Sequence, residues 1–210
     1  MLVFFMARRV ALARASNVDE LVAGIDEVGR GPWAGPVVAA AVILAGGLPE
    51  RAARRIDDSK KLSAASREAL FEELATHAII GVGHASVEEI DALNILKATH
   101  LAMRRAVDAL GTVPSRAIVD GNSLPALLPC PATPLIGGDA LVLEIAAASI
   151  IAKVTRDRLM RELAEAHPGY GWERNAGYGT AEHRDGLARF GVTAYHRRSF
   201  APIRAFLKSS

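Results

Sequence analysis

Apolar positions along the chain follow two periods. Short β-branched runs at Leu21–Asp26, Pro36–Leu44 and Ile79–Ala85 predict three strands. The second contains GPVVAAAVIL, apolar on both faces, and so predicts a strand covered on both sides. RAIVDG, running into Asp120, and TPLIG, ending just before Asp139, predict two more. Between the second and third strands, DDSKKLSAASREALFEELATH reads as a polar loop and then a helix with Leu70, Phe71 and Leu74 inward. SVEEIDALNILKATHLAMRRAVDALG predicts one helix, started by a Ser86/Glu89 capping box and ended by Gly111. The longest helical stretch, DALVLEIAAASIIAKVTRDRLMRELAEAH, stops at Pro168-Gly169. Its Arg158/Glu162 and Arg161/Glu165 pairs at i,i+4 predict an exposed second half. The glycine- and aromatic-rich remainder predicts one or two short helices. The whole reads as a mixed α/β sheet with a helical C-terminal piece.

Composition narrows this picture only slightly. The 210 residues suit one substantial core, and 25 basic against 23 acidic side chains leave +2. Charge is uneven, however: from His167 onward there are seven Lys/Arg, three Asp/Glu and three histidines, a region suited to a polyanion. The single cysteine, Cys130, excludes an internal disulfide. No uninterrupted apolar run reaches the roughly 18 residues of a membrane span, and no membrane association is expected. The N-terminus carries its apolar patch before its arginines, the reverse of a secretory signal. Residues 1–18 are expected to form a loosely held extension, with Met6 an alternative start. The cytoplasm is the expected location.

Asp26, Glu27, Asp120 and Asp139 each lie at the C-terminal end of a predicted strand or just beyond, the edge where open α/β sheets bind ligands. Four acids converging there need cations, and hard oxygen donors without a Cys/His cluster suit Mg²⁺ or Mn²⁺. Two ions about 3.5–4 Å apart would clamp the attacking and leaving oxygens of a phosphodiester. Taken singly, each acid also fits a turn or cap, and Asp139 is placed to N-cap the long helix. Asp26 and Glu27 are adjacent, which strand alternation would send to opposite faces. If the strand ends at Asp26, Glu27 belongs to the following turn. Gly29 and Gly31 let that turn bend and let a partner approach the main chain, with Arg30 placed to reach a phosphate. Such a turn suits a ribose 2′-hydroxyl, which both donates and accepts.

The motifs GIDEVGRGPWAGPVV, DDSKKLS, IVDGN, GD…EIAAASIIAKVTRD and NAGYGTAEHRDGLARFGVTAYHRRSF together resemble ribonuclease HII over roughly residues 21 to 204. The resemblance implies an RNase H-like fold, a mixed five-stranded sheet flanked by helices with a small helical C-terminal region. It implies a catalytic domain at 19–166 and a substrate-binding region at 167–210 packed on that domain. The implied activity is two-metal-ion cleavage of the RNA strand of RNA/DNA hybrids, and incision 5′ of ribonucleotides embedded in DNA. Such cleavage leaves 3′-hydroxyl and 5′-phosphate ends, and a monomer is expected. Asp26, Glu27, Asp120 and Asp139 match the family's metal-binding carboxylates. Asp26 is expected to bridge both ions, Asp139 to help hold the one activating water, and Glu27 and Asp120 to hold the other.

Gly29, Arg30 and Gly31 match the loop that senses the 2′-hydroxyl, and Tyr178 the tyrosine that works with it at the RNA–DNA junction. An aromatic ring can stack there, although a buried tyrosine is an equally common fate. Lys60, Lys61, Ser149 and Lys153 are candidate substrate contacts, Ser149 and Lys153 sharing a helix face at i,i+4. The chain departs from the family where Gly137-Gly138-Asp139-Ala140 replaces the usual Lys-Gly-Asp-Ser, losing a cation and a hydroxyl beside the fourth acid. Competing readings are ribonuclease HIII, which would bring a larger N-terminal domain and a glutamate as fourth acid, and a junction resolvase. From another class comes a non-catalytic nucleic-acid-binding module, whose binding four clustered acids would weaken.

Overall fold

The computed structural model describes residues 20–57 and 62–209. Five strands form one sheet: β1 (Val22–Val28), β2 (Val37–Ile43), β3 (Ile79–Ala85), β4 (Arg116–Asp120) and β5 (Ala132–Leu135). Their order is β3-β2-β1-β4-β5, with β1 antiparallel to β2, β2 antiparallel to β3, and β1–β4 and β4–β5 parallel. Pro134 sits in β5, an edge strand, where a missing N–H is tolerated. The helices are α1 (Glu50–Asp57), α2 (Ala64–His77), α3 (Val87–Leu93), α4 (Ile95–Asp108), α5 (Leu143–Ala166), α6 (Trp172–Asn175), α7 (Ala181–Phe190) and α8 (Ala201–Ser209). A 3-10 turn, Gly138–Ala140, precedes α5. The predicted mixed α/β sheet is therefore present; α1 was not anticipated, and the C-terminal piece has three helices where one or two were expected.

Strand β2 is buried throughout, as its unbroken apolar run predicts. Val37, Ala39, Ala41 and Ile43 face a layer containing Ala98, Ala102, Met103 and Ala106 of α4. Ala40 and Val42 face the opposite layer, with Ala146–Ala148, Ile150 and Ile151 of α5 and Leu70 and Leu74 of α2. Phe71 packs against this second layer only in part. A third cluster joins Ala34, Met160 and Ala164 to Tyr170, Trp172, Leu187 and Ile203, seating the C-terminal helices on the far end of α5.

The predicted single helix over 86–111 is two. The Ser86/Glu89 capping box is present and starts α3, but Asn94 interrupts at φ 74°, ψ 163°. Its side-chain Oδ1 accepts from the amides of Leu96 and Lys97, at 3.0 and 3.2 Å, and so begins α4. An apolar pattern continues across such a break because both segments face one core, which is why periodicity missed it. This backbone region is almost exclusive to glycine. Asn94→Ala is expected to lose both the cap and the tolerance, about 2–3 kcal/mol in urea unfolding. Asn94→Gly is expected to lose less, because the strain goes with the cap.

The second half of α5 also differs from expectation. Arg158 and Arg161 reach across to α2: Arg158 donates to Glu68 and Glu72, at 2.5 and 2.9 Å, and Arg161 to Glu68 at 2.7 Å. The arginines therefore join two helices where an i,i+4 ladder along one was predicted.

Candidate active site

The site lies where β4 runs out beside β1. Their pairing stops at Ile25 and Val119, whereas β1 continues against β2 until Val28 pairs with Val38. Asp26, Glu27 and Val28 thus keep a strand neighbour on one side and open into a gap on the other. Glu27 is still in the strand, paired with Ala39, and the expectation that the strand ends at Asp26 is corrected. Alternation is obeyed: the acids straddle the end of the sheet. Asp26 shares its side with Gly24, whose α-carbon lies against the Glu144–Ile145 backbone of α5. From that helix the Ser149 hydroxyl donates to the Asp26 carboxylate.

Asp120 closes β4. Its Oδ1 accepts from the Gly138 amide at 2.7 Å, tying the turn that carries Asp139 to the sheet. Asp139 lies in the 3-10 turn rather than at the N-cap of α5, which is Val142. Gly137 has φ 67°, a left-handed conformation that a glycine adopts without strain.

Asp26 is only 6% exposed. Burial pushes its pKa up to about 7, the charges of Glu27 and Asp120 adding to the rise and the Ser149 hydrogen bond opposing it. Burial also raises Glu27, with Arg30 opposing and Asp120 adding. Asp26, Glu27 and Asp120 therefore repel one another, and Asp139 joins them through the backbone of its turn. Among the described residues no three Asp, Glu, His or Cys side chains stand close enough to close on an ion as they are. The donor set nonetheless fits a hard divalent cation: it is all carboxylate, part-buried, and destabilised by its own charge.

Gly29 is buried at φ 92°, and a β-carbon there would run into the Arg156 guanidinium. Arg30 points outward with Nη1 3.4 Å from Glu27 Oε1. Gly31 has Tyr178 beside it: a β-carbon at Gly31 would stand 3.3 Å from Tyr178 Cε1. The structure thus brings the two sequence-predicted recognition elements together, and Tyr178 is 49% exposed rather than buried. Ser149 is turned to Asp26, and Lys153 donates to Asp157 at 2.6 Å. Lys60 and Lys61 lie outside the described residues, as does the expected extension over 1–18.

Four side chains that build this site escaped sequence reasoning. Arg156 and Arg197 are almost wholly buried and grip main-chain carbonyls. Arg156 donates to Pro36, Ala176 and Ala34, at 2.9, 2.8 and 3.1 Å. Arg197 donates to Gly29, Arg30 and Gly35, at 2.6, 2.9 and 2.9 Å. Burial lowers both guanidinium pKa values, Arg156 to about 10 and Arg197 to about 9. His183 and His196 are fully buried as well. The C-terminal region is consequently less cationic toward a polyanion than its composition suggests, since Arg197 and both histidines are internal and Arg174 pairs with Glu173 and Glu182. A signal for Arg156 existed: Ala148, Ala152, Arg156, Met160 and Ala164 recur every four residues, and all are buried. An arginine in an apolar stripe marks a structural charge.

Known proteins resemble the chain over most of its length. A family model described as ribonuclease HII matches residues 23–203. Ribonuclease HII of Paramagnetospirillum magneticum is 60% identical over 197 residues, 93% of this chain and 98% of that protein. The RNase HII in a PCNA:RNase HII complex from Archaeoglobus fulgidus superposes with a TM-score of 0.73 at 27% identity, covering 89% of this chain and 96% of that one. Bst-RNase HIII, solved in complex with Mn²⁺, has the same fold at 20% identity, with a TM-score of 0.75 over 90% of this chain and 70% of that one. Among the described residues no helix is long and apolar enough to cross a membrane.

Proposed function

Since the chain belongs to the ribonuclease HII family and is an endoribonuclease, we propose that it cuts the RNA strand of RNA/DNA hybrids and nicks duplex DNA on the 5′ side of an embedded ribonucleotide. The observation that carries this reading is the placement of the exposed Tyr178 ring over Gly31, with room for no more than a β-carbon there, next to three mutually repelling carboxylates. One part of the site can test for a ribose while the adjoining part cuts.

Asp26, Glu27, Asp120 and Asp139 would hold two divalent ions, Mg²⁺ or Mn²⁺. Bound there, the ions supply an activated water and neutralise charge on the leaving oxygen. The protein's own residues set the stage. Ser149 orients the buried Asp26 carboxylate, and Asp120 holds the Asp139 turn through the Gly138 amide. The Gly29–Gly31 turn offers close backbone approach, and Tyr178 offers a flat face to the sugar or base at the junction. Hydrolysis adds water across the P–O3′ bond, so the 3′ oxygen leaves as a hydroxyl and the phosphate stays on the 5′ side of the next nucleotide. Ser149 serves the reaction through Asp26, and Lys153, Lys60 and Lys61 are assigned to phosphates. All four acids come from one chain, which supports a monomer as the working unit. A duplex nucleic-acid substrate supports a cytoplasmic site of action.

The test compares a duplex containing one ribonucleotide with its all-DNA counterpart, with Mg²⁺ or Mn²⁺ and with chelator. Nicking of only the first, and only with metal, is the expected result. Equal cutting of both duplexes would sink ribose reading, and cutting in chelator would sink the metal mechanism.

A further inference from the structure

Tyr178 presents an exposed ring from a turn whose four successive carbonyls, Ala176 to Gly179, are all engaged. The Ala176 carbonyl accepts from Arg156 at 2.8 Å, and the Gly177 carbonyl from the Trp33 amide at 2.8 Å. The Tyr178 carbonyl accepts from the Thr180 amide at 2.8 Å and from His183 Nδ1 at 3.0 Å, and the Gly179 carbonyl from Arg184 at 2.8 Å. A turn held at four successive carbonyls fixes the direction in which the Tyr178 side chain leaves the main chain.

The His183 contact continues inward. The Thr193 amide donates to His196 Nδ1 at 3.0 Å, which assigns the His196 proton to Nε2. Trp172 Nε1 donates to His183 Nε2 at 3.1 Å, which assigns the His183 proton to Nδ1, where it meets the Tyr178 carbonyl. His196 Nε2 then donates to His183 Nε2 at 3.1 Å. The two imidazoles form one directed chain from Thr193 to Tyr178. Each is neutral, and burial pushes each pKa down, His196 to about 3. The residue after His196 is Arg197, whose guanidinium holds the Gly29 and Arg30 carbonyls. One dipeptide thus serves both recognition elements: His196 through His183 to Tyr178, and Arg197 directly to Gly29–Arg30.

We infer that His183, His196 and Arg197 are positioning residues that set the gap between Gly31 and the Tyr178 ring, and with it the preference for an RNA–DNA junction. The inference rests on the ribose-reading function proposed above. It explains why two buried histidines and a buried arginine, costly to desolvate, occupy the space beneath a surface turn.

Two substitutions separate positioning from mere stability. His183→Gln keeps an acceptor near the Nε2 position for Trp172 and His196 but loses the donor to Tyr178. His183→Asn keeps a donor near Nδ1 but leaves the two buried N–H groups without an acceptor, the more destabilising loss. The readout is kcat/KM on a single-ribonucleotide duplex divided by kcat/KM on a continuous RNA/DNA hybrid, with Tm recorded beside it. The Gln variant is expected to lose about tenfold in this ratio, the scale of one aromatic–base stack, at a nearly unchanged Tm. It should add nothing in a Tyr178→Ala background. The Asn variant is expected to keep the ratio at a lower Tm. A ratio retained by Gln, or losses that multiply with Tyr178→Ala, would overturn the inference. If the Gln chain does not fold, the Asn variant decides: a retained ratio supports positioning and a lost ratio overturns it. Failure of the proposed function shows separately, as unmodified protein that cuts all-DNA and ribonucleotide-containing duplexes alike.

Discussion

Asp26→Asn is expected to slow cutting of a single-ribonucleotide duplex about a thousandfold or more, while making the metal-free protein harder to unfold at pH 8. Both effects come from one carboxylate. In the reaction it would be one of the carboxylates that hold the metal, and an amide is a neutral, poorer donor to a hard cation. Without metal the same group is buried beside Glu27 and Asp120, and its ionised form is disfavoured. Its folded pKa of about 7 lies above the ordinary 3.8. A group raised in this way contributes stability below the unfolded value and loses it as pH rises through the folded one. The Tm advantage of the Asn variant should therefore be near zero at pH 3, grow between about pH 4 and 7, and level off above. Scanning calorimetry in chelator, paired with a gel nicking assay in Mn²⁺, reads both. Hybrid binding should be largely preserved. Normal turnover by the variant would show that Asp26 has been misassigned, and an unchanged Tm difference across this range would show that its burial costs nothing.

Gly24→Ala is expected to damage both the fold and the site. A β-carbon at Gly24 falls well inside contact distance of Glu144 C and Ile145 N, main-chain atoms at the start of α5. Backbone cannot swing aside as a side chain would, so β1 and α5 must separate. That separation opens the layer holding Ala146, Ala147, Ala148 and Ile151, and it moves Asp26 away from Ser149. Overpacking typically costs about 1–3 kcal/mol, and a clash between two backbones belongs at or above the top of that range. For a chain of this length the expected fall in Tm is about 6–12 °C. Activity should fall even where the variant remains folded. A variant as stable and as active as the unmodified protein would show that the strand and helix have slack that the packing does not suggest.

Much of the fold was legible in advance because its signals are local. An unbroken apolar strand needs cover on both faces, and β2 has it. Ser86 and Glu89 cap a helix whatever surrounds them, since both partners lie within one turn. The carboxylate positions were legible too, each following an apolar run at a predicted strand end. Asn94 was misread because a single side chain replaced a helix interior with a cap, which the apolar spacing on either side concealed.

The sequence by itself determined the strands, the long helix, the four acids and the glycine turn, because each depends on neighbours a few positions away. Only the tertiary structure decided what the acids face and how the Gly29–Gly31 turn is held. That Asp26 and Glu27 open into a gap follows from β4 ending earlier than β1, a relation between segments more than 80 positions apart in the pairing of Ile25 with Val119. Arg197 reads in the chain as one more basic residue of a polyanion-binding tail; in the fold it grips the Gly29 carbonyl, 168 positions away. The physical reason is that composition assigns a charge to solvent, and only folding brings together the main-chain carbonyls that can replace water around a buried guanidinium.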